Sequence, residues 1–269
     1  SNVSRDAAVA QIAAAGWAHV EHEAPYGPLV PTLYALVAQR HMHEFGTTAE
    51  QMAEVAVAIR GHAALNPLAQ KREPITVADV LASKMITSPL HLLDCAIVSD
   101  GAAAFVVTSR KDTRRKPVRV LGQGYGFTHT HIGEHDGIVT TGAVQSGREA
   151  FRRAGVTPAD IDVAELYDCF TITVIVELED LGFCPKGEGG RFVQGGRIRL
   201  GGELPVTTHG GLLSAVHPGL AGGMFHVLEA VRQLRGECGE RQVPGAELAL
   251  AHGNGGIIGV HCTAILGRG

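Results

Sequence analysis

The chain has 269 residues, 45% of them hydrophobic, which is enough for one large domain or two small ones. Its formal charge of −4, from 23 basic and 27 acidic residues, argues against nucleic-acid binding. No apolar run approaches the ~20 residues of a membrane span. We therefore expect no membrane contact. Because the five cysteines are scattered and form no pairing pattern, we also expect a cytoplasmic protein without disulfides.

The first part of the chain is predicted to be mostly helical. Residues 6–20 are Ala-rich and weakly helical, and the apolar spacing over residues 33–45 predicts an amphipathic helix. Thr48, followed three residues later by Gln51, is a capping-box pattern that starts the next helix. A further short helix is expected to begin at Thr76.

From residue 96 onward, strand and helix patterns alternate, which is typical of a layered α/β fold. We predict strands at 96–98, 103–108, 118–121, 161–167, 247–251 and 259–266, and helices at 146–154, 171–181 and 223–234. The stretch 182–204 is rich in glycine and charge, which predicts a loop or a hairpin.

Three Gly-rich segments each hold a residue suited to proton transfer or to stabilising negative charge. They contain Tyr167, then Ser214 with His217-Pro218, and finally His252 with Asn254-Gly255-Gly256. A histidine before proline at a helix entry has a fixed direction, and a helix N-terminus favours an oxyanion or enolate. Each pattern alone is common in ordinary loops, but three in one half of the chain indicate a catalytic site.

Two other patterns suit binding chemistry less well. His129, His131 and His135 lie close together, but zinc needs three or four converging ligands with supporting contacts. We interpret them as a polar loop or a channel lining, and we predict no metal site. The glycines of residues 122–126 lack the Gly-x-Gly-x-x-Gly spacing of a dinucleotide site.

The order of these motifs resembles the thiolase superfamily, in particular its sterol-carrier/lipid-transfer branch. The resemblance lies in the run Leu166-Tyr167-Asp168-Cys169-Phe170, in residues 178–190, in Gly-Gly-Leu-Leu-Ser with His217-Pro218, and in residues 40–48 and 99–104. It covers essentially the whole chain. It implies a layered αβαβα fold of two similar halves, with a helical loop domain inserted in the first half.

This resemblance also divides the chain. Residues 1–20 correspond to a remnant of the N-terminal half, 21–95 to the helix-rich loop domain, 96–116 to the final strands of the N-terminal half, and 117–269 to the C-terminal half. Most of the first half, with the nucleophilic cysteine of the family, is absent from this sequence. The second family cysteine is also missing, since its place falls at about Gly253.

The function implied by the resemblance is to make or break a carbon–carbon bond of an acyl-CoA thioester, as in an acetyl-CoA acetyltransferase. Coenzyme A would be part of the substrate, with no bound cofactor, and the protein would be a homodimer. His217 matches the acid–base histidine of the family. We expect Ser214, His252, Asn254, Gly255 and Gly256 to bind the substrate or its oxyanion.

Two alternatives remain open. Tyr167 stands where ordinary thiolases have Asn, and it matches the lipid-transfer-protein aldolases, although those carry Tyr where this chain has His217. Such a retro-aldolase would cleave a β-hydroxyacyl-CoA of the sterol side-chain type with a small OB-fold/zinc-ribbon partner. Its Tyr hydroxyl would assist proton removal, which requires a lowered pKa or a basic neighbour. The other alternative is a non-catalytic thiolase-like binding subunit.

Overall fold

A computed structural model describes residues 16–109 and 116–269, together with residues 7, 10, 11 and 14. Residues 6, 8, 9, 12, 13 and 15 of the weak helix predicted at 6–20 lie outside these residues, as do residues 110–115 of segment 96–116. In the described chain the α-helices are α1 (Val30–Phe45), α2 (Ala49–Ala64), α3 (Val77–Ala82), α4 (Ala143–Ala154), α5 (Thr171–Asp180), α6 (Gly189–Phe192) and α7 (Gly222–Arg235). The strands are β1 (Met85–Thr87), β2 (Leu90–His91), β3 (Val118–Phe127), β4 (Val163–Glu165), β5 (Leu248–Gly255) and β6 (Val260–Arg268).

The main sheet has the strand order β3-β6-β5-β4. Strand β6 pairs antiparallel with β3 and β5, whereas β4 and β5 are parallel. Asn254 pairs with His261 across the β5–β6 hairpin, so most of the predicted glycine linker at residues 253–256 belongs to strand β5. The third Gly-rich segment is therefore built on a strand end, which fixes its position relative to the sheet.

The alternating glycines of β3 have a packing role. The run at residues 122–126 lies directly against α4, and a Cβ on its glycines would overlap the carbonyl oxygens of Ala150, Ser146 and Gly142. These three residues follow one another at intervals of four, so they form one small-residue face of the helix. Glycine is required here because strand and helix backbones approach closely.

Helix α5 lies at the centre of the core. All ten of its residues are buried, including Ile172, Ile175 and Leu178. Helices α1 and α2 pack in the same core cluster, and the predicted Thr48 capping box of α2 is confirmed. No helix in the described ranges is long and apolar enough to cross a membrane.

One prediction of secondary structure is wrong, and another is confirmed only in part. Residues 96–109 form no strand, although two were predicted there. The backbone N–H groups of Ala96 and Ile97 donate to the carbonyl oxygens of Cys169 and Leu212, neither of which lies in a strand, and Val106 is 90% exposed. Residues 182–204 form α6 and turns and no hairpin.

Candidate active site

One buried carboxyl group connects two of the three Gly-rich segments. Glu177 on α5 accepts hydrogen bonds from the Tyr167 backbone N–H (2.9 Å) and from Asn254 Nδ2 (2.8 Å). Burial raises the pKa of Glu177 well above its usual range. Because one donor follows strand β4 and the other lies near the end of strand β5, this side chain fixes the distance between them. Glu177 was not predicted from the sequence, although an acid within an apolar helix was a visible signal.

Asp168 connects the segment of Tyr167 to the remaining Gly-rich segment, which holds Ser214 and His217. Its buried carboxylate accepts hydrogen bonds from the backbone N–H groups of Leu212 (2.8 Å) and Leu213 (3.1 Å). These residues lie in a π-helical turn, Gly211–Ala215, that leads into His217. A Cβ on Gly211 would overlap the carboxylate, and this residue has a φ of +59°, so only glycine fits there. The residue next to Tyr167 thus positions the loop that carries His217.

Tyr167 and His217 meet at the start of α7. Their rings are arranged edge to face, with 6.3 Å between the centroids. The Tyr167 ring lies over the first turn of α7, since a Cβ on Gly222 would be 3.1 Å from its hydroxyl oxygen. No side chain caps this helix. Its first N–H groups therefore give a positive potential beside the hydroxyl group, which favours a developing oxyanion.

Burial sets the protonation states of this pair. It raises the pKa of Tyr167 and lowers the pKa of His217, so both groups are neutral near pH 7. A neutral phenol is a proton donor and a neutral imidazole is a proton acceptor. The Tyr167 pKa is therefore not lowered as a tyrosine base would need.

His252 belongs to a group that we call the paired cluster: Glu177, His252 and His261. His261 Nε2 donates to the Ile258 carbonyl oxygen (2.9 Å), and burial lowers its pKa to about 4. The neutral ring must then accept at Nδ1 from His252 Nε2 (2.9 Å). His252 Nδ1 in turn accepts from Thr263 Oγ1 (2.8 Å). Every ring nitrogen is engaged, which does not favour the predicted role of His252 in binding substrate.

The other predicted binding residues differ in their surroundings. The buried hydroxyl of Ser214 accepts a hydrogen bond from Arg60 Nε (2.8 Å), so it joins the turn to helix α2. This contact accounts for a serine without any substrate. Asn254, Gly255 and Gly256 lie where β5 ends, and Tyr34 on α1 donates to Asn254 Oδ1 (3.3 Å). Their role in binding an oxygen stays a prediction.

A second group, which we call the unpaired cluster, consists of Glu165, His209 and His226. His209 Nδ1 lies 3.1 Å and His226 Nδ1 lies 4.0 Å from Glu165 Oε2. His209 Nε2 and both ring nitrogens of His226 are buried without a hydrogen-bond partner among the described residues. The His226 ring also contacts Tyr167 edge to face, at 5.7 Å between centroids. This cluster was not predicted from the sequence, because its members come from a strand end, a loop and a helix.

The histidines at 129, 131 and 135 do not form such a group. His129 Nε2 donates to the Ile257 carbonyl oxygen (2.9 Å), and His135 Nε2 donates to that of Thr140 (2.7 Å). Among the described residues, the groups whose possible ligand atoms converge are the paired and unpaired clusters. His129 and His135 act as hydrogen-bond donors that hold loops.

Comparison with known proteins identifies the family. The model of the thiolase C-terminal domain-like family matches residues 124–268. An acetyl-CoA acetyltransferase of Methanothermobacter thermautotrophicus is 43% identical over 252 residues, 92% of this chain and 66% of that protein. A 17-hydroxy-3-oxo-4-pregnene-20-carboxyl-CoA lyase of Mycobacterium tuberculosis is 42% identical over 224 residues, 79% of this chain and 57% of that protein.

A solved structure supports the same family assignment. An Ltp2-ChsH2(DUF35) aldolase superposes with a TM-score of 0.84 and 34% identity, covering 95% of this chain and 67% of that one. The chain spans about two thirds or less of the length of the two curated relatives. The thiolase-like layered α/β fold expected from the sequence is confirmed. The chain belongs to the thiolase C-terminal domain-like family.

Proposed function

We propose that this protein makes or breaks a carbon–carbon bond beside the thioester of an acyl-CoA. The observation that carries the proposal is the meeting of neutral Tyr167 and neutral His217 at the uncapped N-terminus of α7. A proton donor, a proton acceptor and a positive potential are what enolate chemistry requires. Similarity to an acetyl-CoA acetyltransferase and a CoA lyase supports the same substrate class. Coenzyme A enters as part of the substrate, without a bound cofactor.

Within this chemistry, the residues of this chain favour retro-aldol cleavage of a β-hydroxyacyl-CoA. His217 accepts the β-hydroxyl proton, the oxygen forms a carbonyl group, and the Cα–Cβ bond breaks. The released electron pair moves into the thioester carbonyl to give an enolate, which Tyr167 stabilises with its O–H group. The proton held by His217 is then returned to Cα, which restores the neutral imidazole. Asn254, Gly255 and Gly256 lie around the thioester oxygen in this proposal. The products are a ketone or aldehyde and a shorter acyl-CoA.

Acyl transfer is the second candidate, and the similarity to the acetyltransferase supports it. It requires a cysteine thiolate as nucleophile. Burial raises the pKa of all five cysteines of this chain, that of Cys169 to about 12. These thiols are protonated near pH 7, so acyl transfer would need a cysteine outside this sequence.

The same comparison supports part of the assembly that we propose. The similar solved structure is an Ltp2-ChsH2(DUF35) aldolase, which supports a small OB-fold/zinc-ribbon partner for this protein. A homodimer in the cytoplasm is the arrangement we propose from the resemblance, and the five free cysteines fit a reducing compartment.

The test is to supply the protein, with and without a DUF35-type partner, with a β-hydroxyacyl-CoA or with acetyl-CoA. Mass spectrometry then identifies the products. We expect a carbonyl product and a shortened acyl-CoA from the first substrate, without consumption of free coenzyme A. Formation of acetoacetyl-CoA alone would favour acyl transfer. No turnover of either substrate, with binding retained, would favour the non-catalytic subunit.

A further inference from the structure

The unpaired cluster differs from an ordinary buried polar group because most of its ring nitrogens lack partners. His226 is 0% exposed, yet neither of its nitrogens has a hydrogen bond among the described residues. Leaving a buried polar atom without a hydrogen bond is a cost to the stability of the folded protein. A ligand that occupies the space between these nitrogens and Glu165 would remove that cost.

The donor atoms converge as a metal ion requires. One ligand atom each from Glu165, His209 and His226 lies within 4.8 Å of the other two. Around a tetrahedral zinc ion, ligand atoms stand about 3.3 Å apart, since each lies roughly 2.0–2.1 Å from the metal. The 3.1 Å and 4.0 Å separations from Glu165 Oε2 bracket this value. A side-chain shift of under about 1 Å would therefore complete the arrangement.

The surrounding contacts also suit a metal. Glu165 Oε1 accepts hydrogen bonds from the Thr208 backbone N–H (3.1 Å) and hydroxyl (2.7 Å), so Oε2 is oriented towards the histidines. His226 Nδ1 faces Glu165, while Nε2 lies 3.8 Å from Asp168 Oδ1. A carboxylate behind the far nitrogen of a histidine is the usual support of a metal-binding imidazole.

Charge balance points the same way. Glu229, the other acid close to the cluster, is paired with Arg241 (2.7 Å). Glu165 and Asp168 have no arginine or lysine partner among the described residues, and the short ionic contact of Glu165 is with His209 Nδ1 (3.1 Å). A divalent cation bound by deprotonated histidines would serve as the counterion of these buried carboxylates. Of the three cluster residues, His209 lines a cavity of about 270 Å³, together with Glu229.

We propose that Glu165, His209 and His226 bind one divalent ion of the zinc class. Two imidazole nitrogens and one carboxylate oxygen are a donor set that suits zinc, with a water from the cavity as a fourth ligand. The site is separate from Tyr167 and His217 and does not depend on the proposed reaction. It stabilises the fold behind Tyr167 by satisfying His226.

The test uses calorimetric titration of zinc chloride into the tag-free chain after treatment with a chelator. We expect one equivalent to bind, and His226→Gln and His209→Gln to weaken binding by at least about 100-fold. His43→Gln is the matched control, because His43 is exposed, and it should leave the affinity unchanged. Absence of binding, or equal affinity in the His226→Gln protein, would overturn the proposal.

A second measurement needs no substitution, in case a variant does not fold. Long-range proton–nitrogen spectra of the histidine rings report which nitrogens meet the metal. Zinc should shift the ring signals of two histidines, and His209→Gln should remove one of them. Shifts confined to surface histidines, or signals of two protonated rings that zinc does not change, would contradict the site.

Discussion

The paired and unpaired clusters have the same composition, but they differ in how many of their histidine ring nitrogens form hydrogen bonds. Each consists of one glutamate and two buried histidines. In the paired cluster every ring nitrogen has a partner, and the hydrogen bonds run in one direction from Thr263 through His252 to His261. In the unpaired cluster three of four ring nitrogens have none. The hydrogen-bonded histidines of the paired cluster hold the β5–β6 hairpin together, whereas the ring nitrogens without partners in the unpaired cluster are available to bind a ligand.

Tyr167 lies between the two clusters. Its backbone N–H donates to Glu177 of the paired cluster, and its ring contacts His226 of the unpaired cluster. The geometry of the reactive pair therefore depends on both. Some substitutions should affect catalysis alone, and others should affect the paired cluster alone. Comparing them separates the role of the reactive pair from that of the paired cluster.

The largest effect is expected for His217→Ala. The neutral imidazole is the proton acceptor of the site, so its loss should lower turnover by roughly 10²–10⁴-fold. Acyl-CoA binding, measured by calorimetry, should change far less. His43→Ala, at an exposed position, is the control and should keep full activity. Equal losses of affinity and turnover would mean that His217 is structural.

Tyr167→Phe should have the next largest effect. It removes the hydroxyl group and little volume, so β-hydroxyacyl-CoA cleavage should fall by at least ~10²-fold. The melting temperature should barely move, because the Glu177 contact comes from the backbone of Tyr167. Near-normal cleavage by this variant would remove the hydroxyl from the mechanism and favour acyl transfer.

The paired cluster predicts a loss of stability in acid. The His261 pKa is about 4 in the folded protein, against about 6.5 in an unfolded chain. The unfolded state therefore binds more protons between these values, so stability is full above pH 6.5 and falls as pH drops towards 4. The loss is on the order of 3 kcal/mol. Urea unfolding at several pH values measures it.

The matched variant for that experiment is His261→Gln, which cannot titrate. Its stability should change less over the same pH range, even if it is lower throughout. A parent protein whose free energy of unfolding is flat between pH 6.5 and 4 would show that His261 is not held neutral.

The smallest effect is expected for Thr263→Val. Valine has a similar shape but leaves His252 Nδ1 without its donor, and it also removes the partner of Ser146 Oγ (2.8 Å). The free energy of unfolding should fall by about 1–3 kcal/mol. Thr140→Val, at an exposed threonine, is the control and should have little effect. An unchanged stability in Thr263→Val would mean that the directed chain of hydrogen bonds does not form.

Helices with local signals were predictable from the sequence. The Thr48 capping box and the apolar spacing before Phe45 depend on neighbours within one helical turn, and both helices lie where expected. Residues 96–109 were not predictable in this way, because a strand needs a partner strand that local composition does not supply.

For the site, the sequence by itself determined the three Gly-rich segments and the candidates His217 and Tyr167, because the side chains of these residue types can transfer protons. Only the tertiary structure decided that Glu177 and Asp168 connect the segments. It also decided that both ring nitrogens of His252 form hydrogen bonds, whereas those of His226 have no partner among the described residues. The reason is that hydrogen-bond satisfaction depends on partners far apart in the chain, such as Glu177 and Asn254. Burial, which sets the protonation of Tyr167 and His217, is likewise a property of the packed molecule.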